Sequence, residues 1–272
     1  MEKIRRNERM SAILKMLTDS PNQILPLSQF CTVFDTAKST MSEDISLLKV
    51  VARQFGLGEI ETIPGASGGV RWRCAISREQ AMRVVSALCE KLSGDSRVLP
   101  GGFLYYSDIL SDPVIVRQMG EILATEYFSA APDFVLTMET KGIPVALETA
   151  RALGVPLVIA RHTSKVYEGS AVHINYVSDS SGAIQTMSLA RRSVKEGQKA
   201  LIIDDFLRGG GTAKGMVDLM GEFNIQVVGM GFVMETASPA KKRVTGQKSL
   251  MTLELSPSQE QAVVRPAPWL LG

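Results

Sequence analysis

The stretch Ala200-Leu201-Ile202-Ile203-Asp204-Asp205-Phe206-Leu207-Arg208-Gly209-Gly210-Gly211-Thr212 constrains the fold more than any other part of the chain. Its four leading residues are apolar and read as a strand buried on both faces. The strand runs straight into two acids, then into glycines and a threonine, and a helix pattern follows over Thr212–Phe223. Strands and helices alternate around it: a helix over Pro113–Phe128, a strand over Phe134–Thr137, a helix over Ile143–Leu153, a strand over Leu157–Ala160 and a last strand over Gln226–Val233. A long polar segment, Arg161–Arg192, separates the second and third strands. Such alternation predicts an α/β unit with a parallel sheet covered by helices. Ligands then bind outside the carboxyl ends of the strands, where Asp204 and Asp205 fall.

The residue types at that end fit a sugar phosphate. Carboxylates accept hydrogen bonds from hydroxyls, so Asp204 and Asp205 suit a ribose diol. Consecutive glycines, Gly209 to Gly211, let backbone N–H groups converge on a phosphate, and the next helix presents its positive N-terminus. Thr212 adds a hydroxyl donor, Leu207 and Arg208 complete the loop, and Phe206 either faces a base or packs beneath the loop. Two common phosphate motifs do not fit. Met216 follows Gly215 where a P-loop needs lysine, and Lys214 stands where a dinucleotide fingerprint needs its third glycine. The plainer alternative is a tight strand-to-helix turn with capping acids.

The texture differs before about residue 75, which predicts two domains, 1–74 and 75–272. Helices are expected over Arg5–Leu17, Ser28–Phe34 and Ser39–Phe55, with Asn22–Pro26 as a turn. In the third helix Met41, Ile45, Leu48 and Ala52 form one buried stripe. Two strands follow, Glu59–Ile63 and Val70–Cys74, around a glycine-rich loop over Pro64–Gly69. Three helices and such a hairpin are the layout of a winged helix-turn-helix. A connector helix over Arg78–Leu92, capped by Ser77, leads to breaks at Gly94 and Pro100-Gly101-Gly102.

The 272-residue chain carries a formal net charge of only +2, so any nucleic-acid contact must come from local clusters. Lys38, Ser39, Thr40 and Ser42 start the third helix and would face a major groove. Arg5 and Arg6 on the first helix, Ser67 and Gly68 at the wing tip and Arg71 on the second wing strand complete the expected DNA-binding set, with Arg9 and Arg73 adding positive charge beside them. The bland alternative is a helical dimerisation domain with a solvated basic face. Cys31, Cys74 and Cys89 are sparse and unpaired in spacing, which fits a reducing compartment and no zinc site. With no apolar run long enough to span a bilayer and no secretory pattern at Met1–Glu8, a cytoplasmic location without membrane contact is expected.

The acid-and-glycine stretch resembles the phosphoribosyl pyrophosphate (PRPP) motif of type I phosphoribosyltransferases. That resemblance implies that Asp204 and Asp205 hold ribose hydroxyls and that the following loop holds the 5-phosphate. It implies that Glu139-Thr140-Lys141-Gly142-Ile143-Pro144 is the pyrophosphate loop, that Mg²⁺ accompanies PRPP, and that Arg161–Arg192 is the family's flexible loop, with Arg161 and Lys165 near pyrophosphate. The plainer alternatives are an ordinary strand–helix connection for the first loop and a solvated hairpin for the second. One departure counts against turnover: Arg208-Gly209 stands where the enzymes carry a small residue and a threonine.

Further segments resemble a single family, the purine operon repressors of Gram-positive bacteria. These are Ala37–Asp44, Pro64–Val70, Leu99–Tyr105, Lys165–Ser170, Ile174–Ser178 and the Asp-Asp-Phe loop, and the likeness fades after about Ala237. His162 replaces a second basic residue common there. The resemblance implies a homodimer with an N-terminal winged helix and a C-terminal phosphoribosyltransferase-like domain that senses rather than catalyses. It implies operator DNA as partner, repression of purine synthesis and transport genes, and PRPP as inducer. In some relatives a guanine nucleotide such as ppGpp competes and favours repression. No resident cofactor or protein-held metal is expected. Phe103 and Tyr105 would form a hood over a base, against the alternative of plain core packing. A working purine phosphoribosyltransferase with an accessory domain, or a nucleotide sensor that never touches DNA, are the competing functions.

Overall fold

The computed structural model describes residues 4–65, 67–93, 97–164, 169–178, 182–256, 258 and 261–271. The chain divides into two compact units: the residues up to Ser77 with Arg151–Gly154, and Arg78–Ala150 with Val155–Gly272.

The first unit opens with α1 (Arg6–Asp19), β1 (Ile24–Leu25), α2 (Leu27–Phe34) and α3 (Lys38–Gln54). Asp35 closes α2 in the left-handed conformation, φ 46°, and only two more residues precede α3. Aspartate is among the few non-glycine residues that tolerate this region. The hairpin β2 (Glu59–Ile63) and β3 (Gly69–Arg73) follows, and β1 joins it to give the sheet order β1-β3-β2. The expected turn at Asn22–Pro26 therefore contains a short strand, paired Ile24 to Arg71 and Leu25 to Val70. Two residues are too few for a periodicity to show. The core is Ile13 and Leu17 of α1, Phe30 and Phe34 of α2, and the Met41, Ile45, Leu48 and Ala52 stripe of α3, with Trp72 of β3. One charged residue joins it: Asp44 is fully buried on the same face of α3. Arg9 Nε reaches its carboxylate at 2.6 Å and Arg6 Nε at 2.8 Å, which ties α1 to α3.

The second unit begins with α4 (Arg78–Leu92), the small hairpin β4 (Val98–Leu99) and β5 (Phe103–Leu104), and α5 (Ser107–Leu110). Then come α6 (Pro113–Tyr127), β6 (Phe134–Met138), α7 (Ile143–Leu153) and β7 (Leu157–Ala160). Asp112 caps α6 by accepting from Val114 N at 2.9 Å and Ile115 N at 3.2 Å, with proline at the first helical position. The hairpin β8 (Ala171–Val177) and β9 (Ile184–Ala190) precedes β10 (Lys199–Leu207), α8 (Gly211–Glu222) and β11 (Gln226–Thr236). The chain closes with β12 (Lys248–Leu255), β13 (Ala262–Pro266) and α9 (Pro268–Leu271). The sheet order is β13-β12-β11-β10-β6-β7, parallel throughout except for β13 at one edge. No described helix is long and apolar enough to cross a membrane.

Two segments depart from the sequence expectation. The polar segment expected as a flexible loop, or else as a solvated hairpin, holds the β8–β9 hairpin, in register from Ala171–Ala190 to Val177–Ile184, and only one of its faces is solvated. Its inner face is apolar: Val172, Tyr176, Met187 and Leu189 are buried in the main core, shared with Ala213 and Met216 of α8. Tyr176 fills the space over Gly215, where an added Cβ would lie 3.1 Å from the tyrosine ring. The other departure is β12 and β13, which extend the sheet beyond the last expected strand.

Candidate functional site

β10 lies between β11 and β6, so the sheet places the acid pair near its centre. Ala200 to Ile203 are completely buried, and Asp204 is 6% exposed. Burial, reinforced by the neighbouring Asp205 carboxylate, pushes the Asp204 carboxyl well above the usual carboxylate range. Its Oδ1 accepts from the Asp205 backbone at 3.0 Å. Gly142 of the second loop packs directly on it. A Cβ built there would stand 1.9 Å from Asp204 Oδ1 and 2.6 Å from Thr137 Oγ1, so only glycine fits. The two loops named from sequence thus meet through Asp204.

Past the acids the backbone turns into α8. Gly210 caps the helix in the left-handed conformation, φ 92°. Gly209, Gly210 and Gly211 are buried, and Arg208 is exposed. Residues beyond Thr236 strap this loop: Arg243 N donates to Gly209 O at 2.8 Å, and Lys242 Nζ donates to Arg208 O at 2.5 Å and Thr236 O at 2.6 Å.

A cavity of about 900 Å³ opens on the loop, within the usual size of small-molecule sites. Asp204, Phe206, Leu207, Arg208, Gly210, Gly211 and Thr212 line it, together with Lys141, Phe103 and Tyr105. Phe103 and Tyr105 are 55% and 45% exposed, so they are not core residues. Asp205, Gly209, Thr140 and Gly142 do not line the cavity, and Lys165 lies outside the described residues. Arg161 Nη1 is held by Glu139 at 3.2 Å, and Glu139 also accepts from His162 N at 2.7 Å. The glutamate opening the second loop therefore engages the arginine expected near pyrophosphate. Among the described residues no group of three or more His, Cys, Asp or Glu side chains could hold a metal ion.

Sequence reasoning missed several participants. Tyr106 is 7% exposed, and its hydroxyl donates to Asp205 Oδ2 at 2.5 Å. Ala237, Ser238, Leu253, Glu254, Leu255 and Ser256 form the far wall of the cavity. All but Tyr106 lie at or beyond Ala237, where the familiar motifs end. Tyr106 sits one position past the last quoted hood residue.

In the first unit Lys38, Ser39 and Ser42 are exposed at the start of α3, and Thr40 is half-buried. The Ser42 hydroxyl bonds its own helix, donating to Lys38 O at 2.9 Å. Ser67 is exposed at the wing tip and Gly68 closes it, its N–H donating to Gly65 O at 3.1 Å. Arg5 is exposed and its backbone N–H is capped by Glu8 at 2.9 Å. Two expected DNA contacts are engaged inside the unit instead. Arg6 bonds Asp44, and Arg71 Nη2 bonds Glu61 at 2.6 Å, with Arg73 Nη2 on the same carboxylate at 3.3 Å. The Arg71 hydrogen bond holds Glu61 below the usual carboxylate range against a smaller opposing effect of burial. An arginine pair on one strand face attracts a carboxylate from the strand beside it, and Glu61 lies opposite Arg71 in register.

Comparison with known proteins agrees with both units. A family described as "Bacterial purine repressor, N-terminal" matches residues 5–74, and the phosphoribosyl transferase domain matches residues 106–267. The purine biosynthesis transcriptional repressor PurR of Bacillus subtilis is 41% identical over 261 residues, covering 96% of this chain and 92% of that one. The purine biosynthesis transcriptional activator PurR of Lactococcus lactis is 39% identical over 251 residues, covering 92% and 93%. Among solved structures, adenine phosphoribosyltransferase from Rhodothermus marinus superposes with a TM-score of 0.54 at 19% identity, covering 63% of this chain and 99% of that one. That likeness carries the fold of the second unit alone. Across nearly its whole length, then, the chain belongs to the PurR family of purine biosynthesis transcriptional regulators.

Proposed function

We propose that this chain represses purine synthesis and transport genes in the cytoplasm as a homodimer, and that PRPP with Mg²⁺ releases it from double-stranded operator DNA. The observation that carries this reading is the coexistence of two features on one chain. One is a winged helix with Lys38, Ser39 and Ser42 exposed at the start of α3. The other is a cavity in which a carboxylate, a glycine phosphate cradle and two exposed aromatic side chains converge. Mg²⁺ would arrive on the pyrophosphate oxygens of its ligand, since that ion is commonly held by phosphates and few protein carboxylates. A guanine nucleotide such as ppGpp would compete for the same cavity and favour DNA binding, its base lying between the hood and Phe206.

PRPP must interact differently with the DNA-competent and incompetent states, or it shifts nothing. Operator affinity is expected to fall when PRPP and Mg²⁺ are added in an anisotropy titration, and an unchanged affinity would end the proposal. The double variant Asp204→Ala, Asp205→Ala is expected to bind operator normally and ignore PRPP; retained inducibility would move the site elsewhere. Lys38→Ala is expected to weaken binding across sequences and to flatten the salt dependence by about 0.9 in log–log slope, the contribution of one phosphate contact. A parallel slope removes Lys38 from the phosphate contacts.

The phosphoribosyltransferase domain itself raises a second reading, a working enzyme. Gly209 supplies no hydroxyl at the phosphate loop, and Arg208 adds a bulky cation beside it. Pyrophosphate release from PRPP and a purine base at enzyme-like rates would overturn the sensor. Because a relative is named an activator, reporter assays with operators at different promoter positions would establish the sign of control.

A further inference from the structure

We propose that Tyr106 competes with the ligand's ribose for Asp205, because this tyrosine holds three groups that a ribose, a base and a phosphate would use. The proposal rests on the reading above, in which the acid pair holds a ribose. The Tyr106 hydroxyl donates to Asp205 Oδ2 at 2.5 Å. Its ring stacks on Phe206, with centroids 6.0 Å apart and planes 26° from parallel. The Lys141 ammonium lies over the same ring, 5.0 Å from its centroid. A carboxylate, an aromatic face and a cation are the partners of a sugar hydroxyl, a base and a phosphate. One side chain satisfies all three.

The consequence for Asp205 is geometric. Tyr106 lines the cavity and Asp205 does not. A ribose hydroxyl that reaches Asp205 from the cavity must take the place of the phenol. The exchange conserves hydrogen bonds: one hydroxyl donor replaces another on the same carboxylate oxygen. Burial, aided by the Asp205 charge, holds the phenol well above its ordinary ionisation range, so it stays a donor. Tyr106 itself starts α5, its carbonyl accepting from Ile109 N at 3.0 Å, and the hood joins it from the preceding chain. The hood is a hairpin of two-residue strands joined through Gly101 and Gly102, both at positive φ. Apparent affinity is then the intrinsic affinity reduced by the fraction of molecules with Tyr106 withdrawn. Displacing Tyr106 also frees Lys141 and shifts Phe103 and Tyr105, so occupancy of the ribose subsite rearranges the whole hood.

Tyr106→Phe keeps the ring and removes the donor. Ribose 5-phosphate, measured by calorimetry on the full chain, is expected to bind about tenfold or more tightly to this variant, the range of one hydrogen bond to a charged group. Inorganic phosphate, which needs the glycine loop and not Asp205, is expected to bind equally to both proteins. Ribose 5-phosphate is also expected to produce a larger tyrosine ultraviolet difference band in the native chain than in the variant, where only Tyr105 of the hood remains to respond. If the native chain fails to bind ribose 5-phosphate, the assignment of the acid pair fails and the latch with it. If it binds and Tyr106→Phe binds no tighter, or phosphate gains as much, the latch alone is overturned.

Discussion

Asp44→Ala is expected to remove about 3–5 kcal/mol from the winged-helix unit, the cost of deleting one partner of a buried ion pair. The loss is large because the carboxylate is fully buried and the charge of Arg9, only 10% exposed at its side chain, would be left mostly buried without it. A small domain holds only about 5–15 kcal/mol in all. Asp44 lies two residues past Ser42, so the same change loosens Lys38 to Ser42 and should abolish operator binding although Asp44 itself is hidden. The chain's two tryptophans allow a clean measurement, since Trp72 belongs to the first unit and Trp269 to the second. In a Trp269→Phe background, urea unfolding followed by Trp72 fluorescence should shift strongly with Asp44→Ala and less with Asp44→Asn. A shift worth less than about 1 kcal/mol would place this triad with ordinary surface pairs.

Gly142→Ala should damage the ligand site about as severely. The added methyl meets Asp204 Oδ1 and Thr137 Oγ1 inside contact distance, and both neighbours are buried. Either the second loop lifts off or the Asp204 carboxyl is driven into the cavity. Overpacking of this kind costs about 1–3 kcal/mol. If it falls on the liganded geometry, PRPP affinity drops about 5- to 150-fold at 1.4 kcal/mol per decade. Calorimetry with PRPP and Mg²⁺ checks the drop, and a thermal melt separates it from unfolding. An unchanged affinity would mean that the two loops do not need their contact.

The winged helix and the parallel α/β sheet could both be read from sequence, because each is written in local periodicity. The connector helix Arg78–Leu92 and the helix Ile143–Leu153 match the expected limits, and α3 and α8 differ from theirs by one residue at each end. The turn from β10 into α8 was equally plain, since three consecutive glycines break the strand pattern just before the helix pattern begins. What escaped was long-range. Asp44 sits at i+3 from Met41 and i−4 from Leu48, so the stripe itself marks it as buried, but its partners on α1 lie 35 and 38 residues away. The β8–β9 hairpin could be read only as a solvated one, since exposed residues such as His173 and Asn175 alternate with Val172 and Tyr176, whose burial comes from α8. Tyr106 gave no sign at all, since a tyrosine before a short helix has no periodicity that reveals a carboxylate 99 residues further on.

The position of β10 has a consequence for how a message leaves the site. Leu201 and Ile202 pair with β11 on one side and β6 on the other. Amides held this way in a fully buried strand exchange with solvent only when the whole unit opens. The carboxylates thus follow a stretch of strand paired on both sides up to Ile202, a mount that resists bending. Only parts outside the sheet are left to carry news of occupancy: the hood, the strap beyond Thr236, and α8 with the hairpin seated on it. Deuterium uptake with and without PRPP should therefore change in those parts and stay flat along β10.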